Sequence, residues 1–147
     1  MSGIISYTAF GGKSGIIGRT PAFAASTTNA PSANGYVVFQ TQHFDTTNSY
    51  DNSTGIYKIP QRGIWAFGMK CNTIGATTWY LRRDGTSIFS WQFDTSNAVN
   101  SGWFSNDAGS IFELNAGVDI RIHLGYNGTN WDAGNWNFFY GHLVTAP

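Results

Sequence analysis

Charge is what this chain has least of. Only 11% of its 147 residues are charged, against about 25% in an ordinary soluble domain. The 8 Lys plus Arg balance the 8 Asp plus Glu, so the net charge is zero. No basic excess exists to draw nucleic acid or an anionic membrane, and neither is an expected partner. Such a surface repels its own copies weakly, which favours self-association and burial of surface between subunits. The single cysteine, Cys71, excludes an intrachain disulfide and reads as a small buried hydrophobe on a strand. No apolar run approaches the roughly 18 residues of a membrane span, so no membrane insertion is expected. The opening MSGIISYTAF has no basic n-region and no apolar stretch of about 7–15 residues, so no signal peptide is expected. An apolar stripe at helical spacing is missing from every window of about 11 residues.

Short alternating runs bounded by Gly, Asn, Asp and Ser are there instead, the pattern of strands and turns. GYVVFQTQHF (35–44), GIYKIP (55–60) and GIWAFGMKC (63–71) read as one strand each. TTWYLRRDGTSIFSWQF (77–93) reads as a hairpin turning at Asp84-Gly85. GSIFELNAG (109–117) and VDIRIHLGY (118–126) read as a further pair. In the latter, Ile120, Ile122 and Leu124 face one way and Asp119, Arg121 and His123 the other. WNFFYGHLVT (136–145) is the last strand. Roughly eight strands at regular spacing predict an all-β antiparallel sandwich or jelly roll. The N-terminal stretch is Gly-, Ala-, Ser- and Thr-rich and too poor in large apolar residues to bury a core. Residues 1–20 read as an extended arm and 21–147 as the folded domain.

The arm carries two conflicting motifs. Gly12-Lys13-Ser14 ends like a phosphate-binding loop, but that loop requires glycine at position 7, which is Tyr7, and a following helix. Gly15, Gly18 and Pro21 forbid the helix. Gly12, Gly15 and Gly18 also recur every third residue, as in a collagen tract. Three proline-free triplets are too few to wind alone, so the glycines read as hinges permitting close approach to a neighbour.

Elsewhere, chemistry is sparse. His43, His123 and His142 lack metal-ligand spacing and read as solvent-facing or satisfied strand positions, so no metal and no cofactor are expected. Most carboxylates, Asp45, Asp51 and Asp84 among them, fall in predicted turns, where Asp bonds the local backbone. No nucleophile elbow exists, and no catalytic residue is assigned. Two Asn-x-Thr triplets, at Asn52 and Asn127, read as chance matches in an Asn- and Thr-rich chain. YNGTNWDAGNW (126–136) sets Trp131 and Trp136 among amides and carboxylates on a predicted loop. Asn127, Asn130, Trp131, Asp132, Asn135 and Trp136 are therefore the candidate ligand-binding residues, for a glycan or protein receptor. Packing over the sandwich core or between subunits would account equally well for the tryptophans.

NSYDNSTGIYKIPQRGIWAFGMK (48–70) resembles the signature of the complement 1q globular head, within the tumour necrosis factor-like superfamily. The residues that carry the likeness are Tyr50, Asp51, Gly55, Tyr57, Pro60, Gly63, Trp65 and Phe67, with Phe39, Phe44, Asn48 and Thr54 beside them. PAFAA (21–25) resembles the family's first strand and FFYGHLV (138–144) its last. The resemblance implies a jelly roll of about ten strands, a tight homotrimer and a non-enzymatic role, with ligands taken by exposed loops. Tyr57, Trp65 and Phe67 would fill the sandwich interior or a subunit contact.

Similar heads occur in bacteriophage structural proteins. The expected function is that of a trimeric virion structural protein, a capsid decoration (cement) or head-fibre protein. It would be made in the host cytoplasm and carried on the particle surface. Ile4, Ile5, Tyr7, Phe10, Gly12, Lys13, Gly15, Ile16, Ile17, Gly18 and Arg19 would grip a capsid or other virion protein, because a free terminus orders only when tied down. The alternative is a lectin-like or receptor-binding trimeric adhesion module such as a tail-fibre tip.

Overall fold

Alternation along a strand decides which side chains turn inward, and here it builds two layers. The computed structural model describes residues 20–29, 34–74, 77–93, 104–127, 130–131 and 137–147. The strands are β1 (Ala22–Thr27), β2 (Gly35–Tyr36), β3 (Thr41–Asp45), β4 (Tyr50–Asp51), β5 (Ile56–Lys58) and β6 (Gly63–Ile74), then β7 (Thr77–Arg83), β8 (Thr86–Phe93), β9 (Phe104–Leu114), β10 (Asp119–Asn127), β11 (Asn130–Trp131) and β12 (Asn137–Thr145). No helix occurs among the described residues. The first sheet runs β11–β6–β12–β1–β3, with β9 on the other edge of β6. The second runs β4–β5–β10–β7–β8, with β2 also on β10. Every pairing is antiparallel, and the two sheets pack as a jelly-roll sandwich.

The core between the sheets is aromatic. Phe23 of β1 stacks on Tyr57 of β5 with centroids 4.0 Å apart and meets Phe139 of β12 edge-on at 4.9 Å. Trp65 and Phe67 of β6 continue the array, Trp65 reaching Tyr57 at 5.7 Å. All five rings are buried, and each stabilises the sandwich by about 1.5–3 kcal/mol through burial. Tyr57, Trp65 and Phe67 thus lie inside a single copy of the chain. Tyr50 is buried too; its hydroxyl donates to the Phe39 carbonyl at 3.0 Å and accepts the Phe39 N–H at 3.2 Å. Burial pushes the Tyr50 and Tyr57 phenols up from their ordinary values.

Turn chemistry sets the register. Asp84 and Gly85 both have positive φ, +48° and +83°, as a two-residue hairpin loop matching the strand twist requires. The Asp45 carboxylate accepts the backbone N–H groups of Thr47, Ser49 and Tyr50 at 2.6–2.9 Å, folding the loop after β3. Asp51 accepts from Ser53 N–H and from the Ser53 and Thr54 hydroxyls, chiefly the Ser53 hydroxyl, and these bonds hold its carboxyl down to about 2. Gly63 sits where a Cβ would lie 2.5 Å from the Thr145 carbonyl oxygen, so β6 and the end of β12 meet closely there.

One predicted strand is divided. Residues 35–44 form β2 in the second sheet and β3 in the first, not one strand. Between them the side chains of Val37 and Phe39 enter the core at 1% and 0% exposure. Val37 N–H bonds the Ile122 carbonyl and the Tyr50 hydroxyl satisfies both backbone groups of Phe39, so the two residues that enter the core in this crossing have these groups paired.

Candidate functional site

β12 is apolar on both faces, which is the pattern of a strand covered on both sides. Phe139 and Leu143 point into the core, while Phe138, Tyr140, His142 and Val144 stand on the outer face of the first sheet. Register places Ala66 beside His142 and Ile111, Gly68 beside Tyr140 and Gly109, and Phe44 beside Ala24. Among the described residues the exposed large hydrophobics are Phe44, Ile64, Phe89, Ile111, Tyr140 and Val144. All but Phe89 lie on this one face.

The face is shaped by small residues. The Tyr140 ring occupies the space a side chain at Gly68 would need. On one side of that ring is a shallow depression of about 530 Å³ between Ala22, Ala24, Phe44 and Phe138, with Lys70 at its margin. On the other is one of about 360 Å³ between Ala66, Gly68, Gly109 and Ile111. Ile111 is the most exposed of the set at 66%. At the border, Glu113 is engaged by Arg62 at 2.7 Å. The surface is broad, apolar and nearly chargeless, suited to a flat protein partner rather than to an enclosed small molecule.

The residues expected to bind ligand fall elsewhere. Asn127 ends β10, with its backbone opposite Thr77. Asn130 and Trp131 form β11 and pair with Ile74 and Thr73, which corrects the loop expected there. The reason is the length of β6, which runs four residues past the last β12 pairing at Lys70 and presents its edge to a second short strand. Asp132, Asn135 and Trp136 lie outside the described residues, as do Ile4, Ile5, Tyr7, Phe10, Gly12, Lys13, Gly15, Ile16, Ile17, Gly18 and Arg19. The apolar outer face was missed from sequence, although the double-faced pattern of β12 signals it.

The titratable groups are dispersed. His43 Nε2 lies 2.8 Å from Ser26 Oγ, but Ser26 is fully buried, so no substrate can reach its hydroxyl. His142 is exposed. His123 departs from a solvent-facing position: it is 8% exposed, with Tyr36 and Tyr80 against its ring at 5.3 and 6.1 Å. No three His, Cys, Asp or Glu side chains gather to hold a metal among the described residues. Cys71 is buried on β6.

A family model described as the C1q domain matches residues 22–144. The globular domain of zebrafish complement 1qA protein superposes with a TM-score of 0.71 at 17% identity, covering 88% of this chain and 100% of that one. Murine APRIL, solved at pH 8.0, superposes with a TM-score of 0.66 at 12% identity, covering 86% of this chain and 100% of its own. No curated protein sequence matches the chain.

Proposed function

The chain belongs to the C1q domain family, and from that premise we propose that it works as a non-enzymatic trimeric head. Three copies associate through the outer face of the first sheet. The observation that carries this reading is the gathering of Phe44, Ile64, Ile111, Tyr140 and Val144 on one face of a chain with zero net charge. Exposed apolar surface is worth about 25 cal/mol per Å² once covered. Ala24, Ala66 and Gly109 let a second backbone come close, while Gly68 is covered by the Tyr140 ring.

The finer reading is a virion structural protein, a capsid decoration or head-fibre protein anchored by residues 1–20. It is supported by the Gly-rich, nearly uncharged composition of that segment and by the low charge of the head. One set of sedimentation measurements tests both levels. The intact chain should sediment at three times its mass, and Ile111→Glu should sediment as a folded monomer. A monomeric wild type, or a trimeric Ile111→Glu, would overturn the interface. The chain lacking residues 1–20 should remain trimeric yet fail to bind purified particles; full attachment of that truncation would remove the anchor.

A further inference from the structure

The second sheet carries a different cluster on its outer face. Arg82 of β7 and Arg121 of β10 are direct cross-strand partners. Like charges so placed destabilise a sheet. Among the described residues neither has a carboxylate within ion-pair distance, the ion pairs being Lys58–Asp119 and Arg62–Glu113. Tyr36 holds the pair in place: Arg121 Cζ lies 3.7 Å from its ring centroid and Arg82 Cζ 5.5 Å. Arg121 also donates to the Thr54 carbonyl at 2.9 Å, and Arg82 to the Tyr36 hydroxyl at 3.4 Å. The Nε–H of each is buried and finds no acceptor among the described residues. Two of the chain's 8 basic side chains therefore face each other across the Tyr36 ring, with no carboxylate paired to either among the described residues.

Tyr80 flanks them, two residues before Arg82 on the same face of β7. Its ring fills the space that a side chain at Gly125 would occupy, so glycine there lets the ring lie over β10. Cations beside an aromatic platform are complementary to a sugar that bears an acid. Guanidinium groups bind oxyanions in forked pairs, and an anion between two of them converts their repulsion into shared attraction. An aromatic ring offers an apolar face to the adjoining pyranose.

We propose that this patch binds an acidic saccharide, Arg82 and Arg121 holding its carboxylate or sulfate through their terminal nitrogens and Tyr80 carrying the sugar ring. The site lies on the sheet opposite the trimer face and stands whether or not the chain trimerises.

The test is calorimetric titration of the intact chain with three probes: a sulfated uronate disaccharide, its desulfated and carboxyl-reduced counterpart, and inorganic sulfate. The sulfated disaccharide should bind, and the neutral one should not. Arg82→Gln and Tyr80→Ala should each weaken binding by about tenfold or more, as loss of one charge-assisted or stacking contact predicts. Arg83→Gln, at the next position, exposed and turned to the other face by strand alternation, should stay within about twofold, since a solvent-screened charge off the patch contributes little. Because Arg82→Gln removes one of two opposed like charges, its melting temperature should equal or exceed that of the wild type, which separates lost binding from lost folding. No binding of the acidic disaccharide, equal binding of the neutral one, or unchanged affinity in Arg82→Gln would overturn the site. Inorganic sulfate binding as tightly as the disaccharide would overturn the role given to Tyr80.

Discussion

Gly55 and Gly117 share a left-handed backbone, at φ +74° and +86°, and differ in what surrounds them. A Cβ at Gly55 would lie 2.5 Å from the Val37 carbonyl oxygen, a backbone atom in the segment that crosses between the sheets. A Cβ at Gly117 would meet nothing within 4 Å. Alanine at Gly117 therefore carries only the conformational cost of a left-handed L-residue, about 1–2 kcal/mol. Alanine at Gly55 adds displacement of a backbone whose N–H groups are already engaged, and the sum should reach about 3 kcal/mol or more. Urea denaturation of the two variants compares them directly. Equal losses would mean that the 37–40 crossing yields without cost, against the close packing found there.

At the scale of elements, β10 joins three strands of the second sheet, and His123 sits at that junction. Tyr36 from β2 and Tyr80 from β7 lie against its ring, and Arg82 and Arg121 stand on the same face. Its pKa lies below the ordinary value near 6.5, chiefly because burial penalises imidazolium and then because of the Arg82 charge; the Asn34 backbone acts the other way and is outweighed. The folded chain thus takes up this proton less readily than the unfolded chain. Stability should be level above about pH 6.5 and fall as pH drops below it toward the depressed folded value. Replacing His123 by Asn should flatten urea midpoints between about pH 6.5 and 5, a window above the ordinary carboxylate range. A wild-type midpoint that holds constant across that window would refute the assignment.

The same strands show which parts of the molecule were legible beforehand. The β7–β8 hairpin is written locally, since Asp84-Gly85 and the flanking alternation suffice. The β10 alternation likewise placed Ile120, Ile122 and Leu124 in the core. The division of 35–44 was not legible, because it depends on the Tyr50 hydroxyl and the Ile122 carbonyl, partners remote in sequence. The tryptophans of 126–136 were the louder signal, yet the exposed apolar side chains stand on β3, β6, β9 and β12 and converge only through strand register. The facing of Arg82 and Arg121 has the same origin, for nothing in either strand alone reveals the other.

For the whole molecule, the two sheets present surfaces of opposite character, and salt should separate them. The face around Tyr140 and Ile111 is apolar, with its bordering Glu113 already paired to Arg62. Association there should be insensitive to ionic strength between about 0.1 and 1 M, or strengthen slightly, because burial of apolar surface is not screened. The Arg82–Arg121 patch acts by charge at a half-buried surface. Across that range the Debye length falls from about 10 Å to about 3 Å, so affinity for an acidic disaccharide should fall steadily. Sedimentation and titration in the same salt series give both readouts from one preparation. Crossing the variants adds the decisive control: Ile111→Glu should change mass and leave saccharide affinity alone, while Arg82→Gln should do the reverse. If either substitution moved both quantities, the faces would be coupled through the aromatic core rather than independent. Sensitivity of the trimer to salt would place charge, not apolar burial, at its interface.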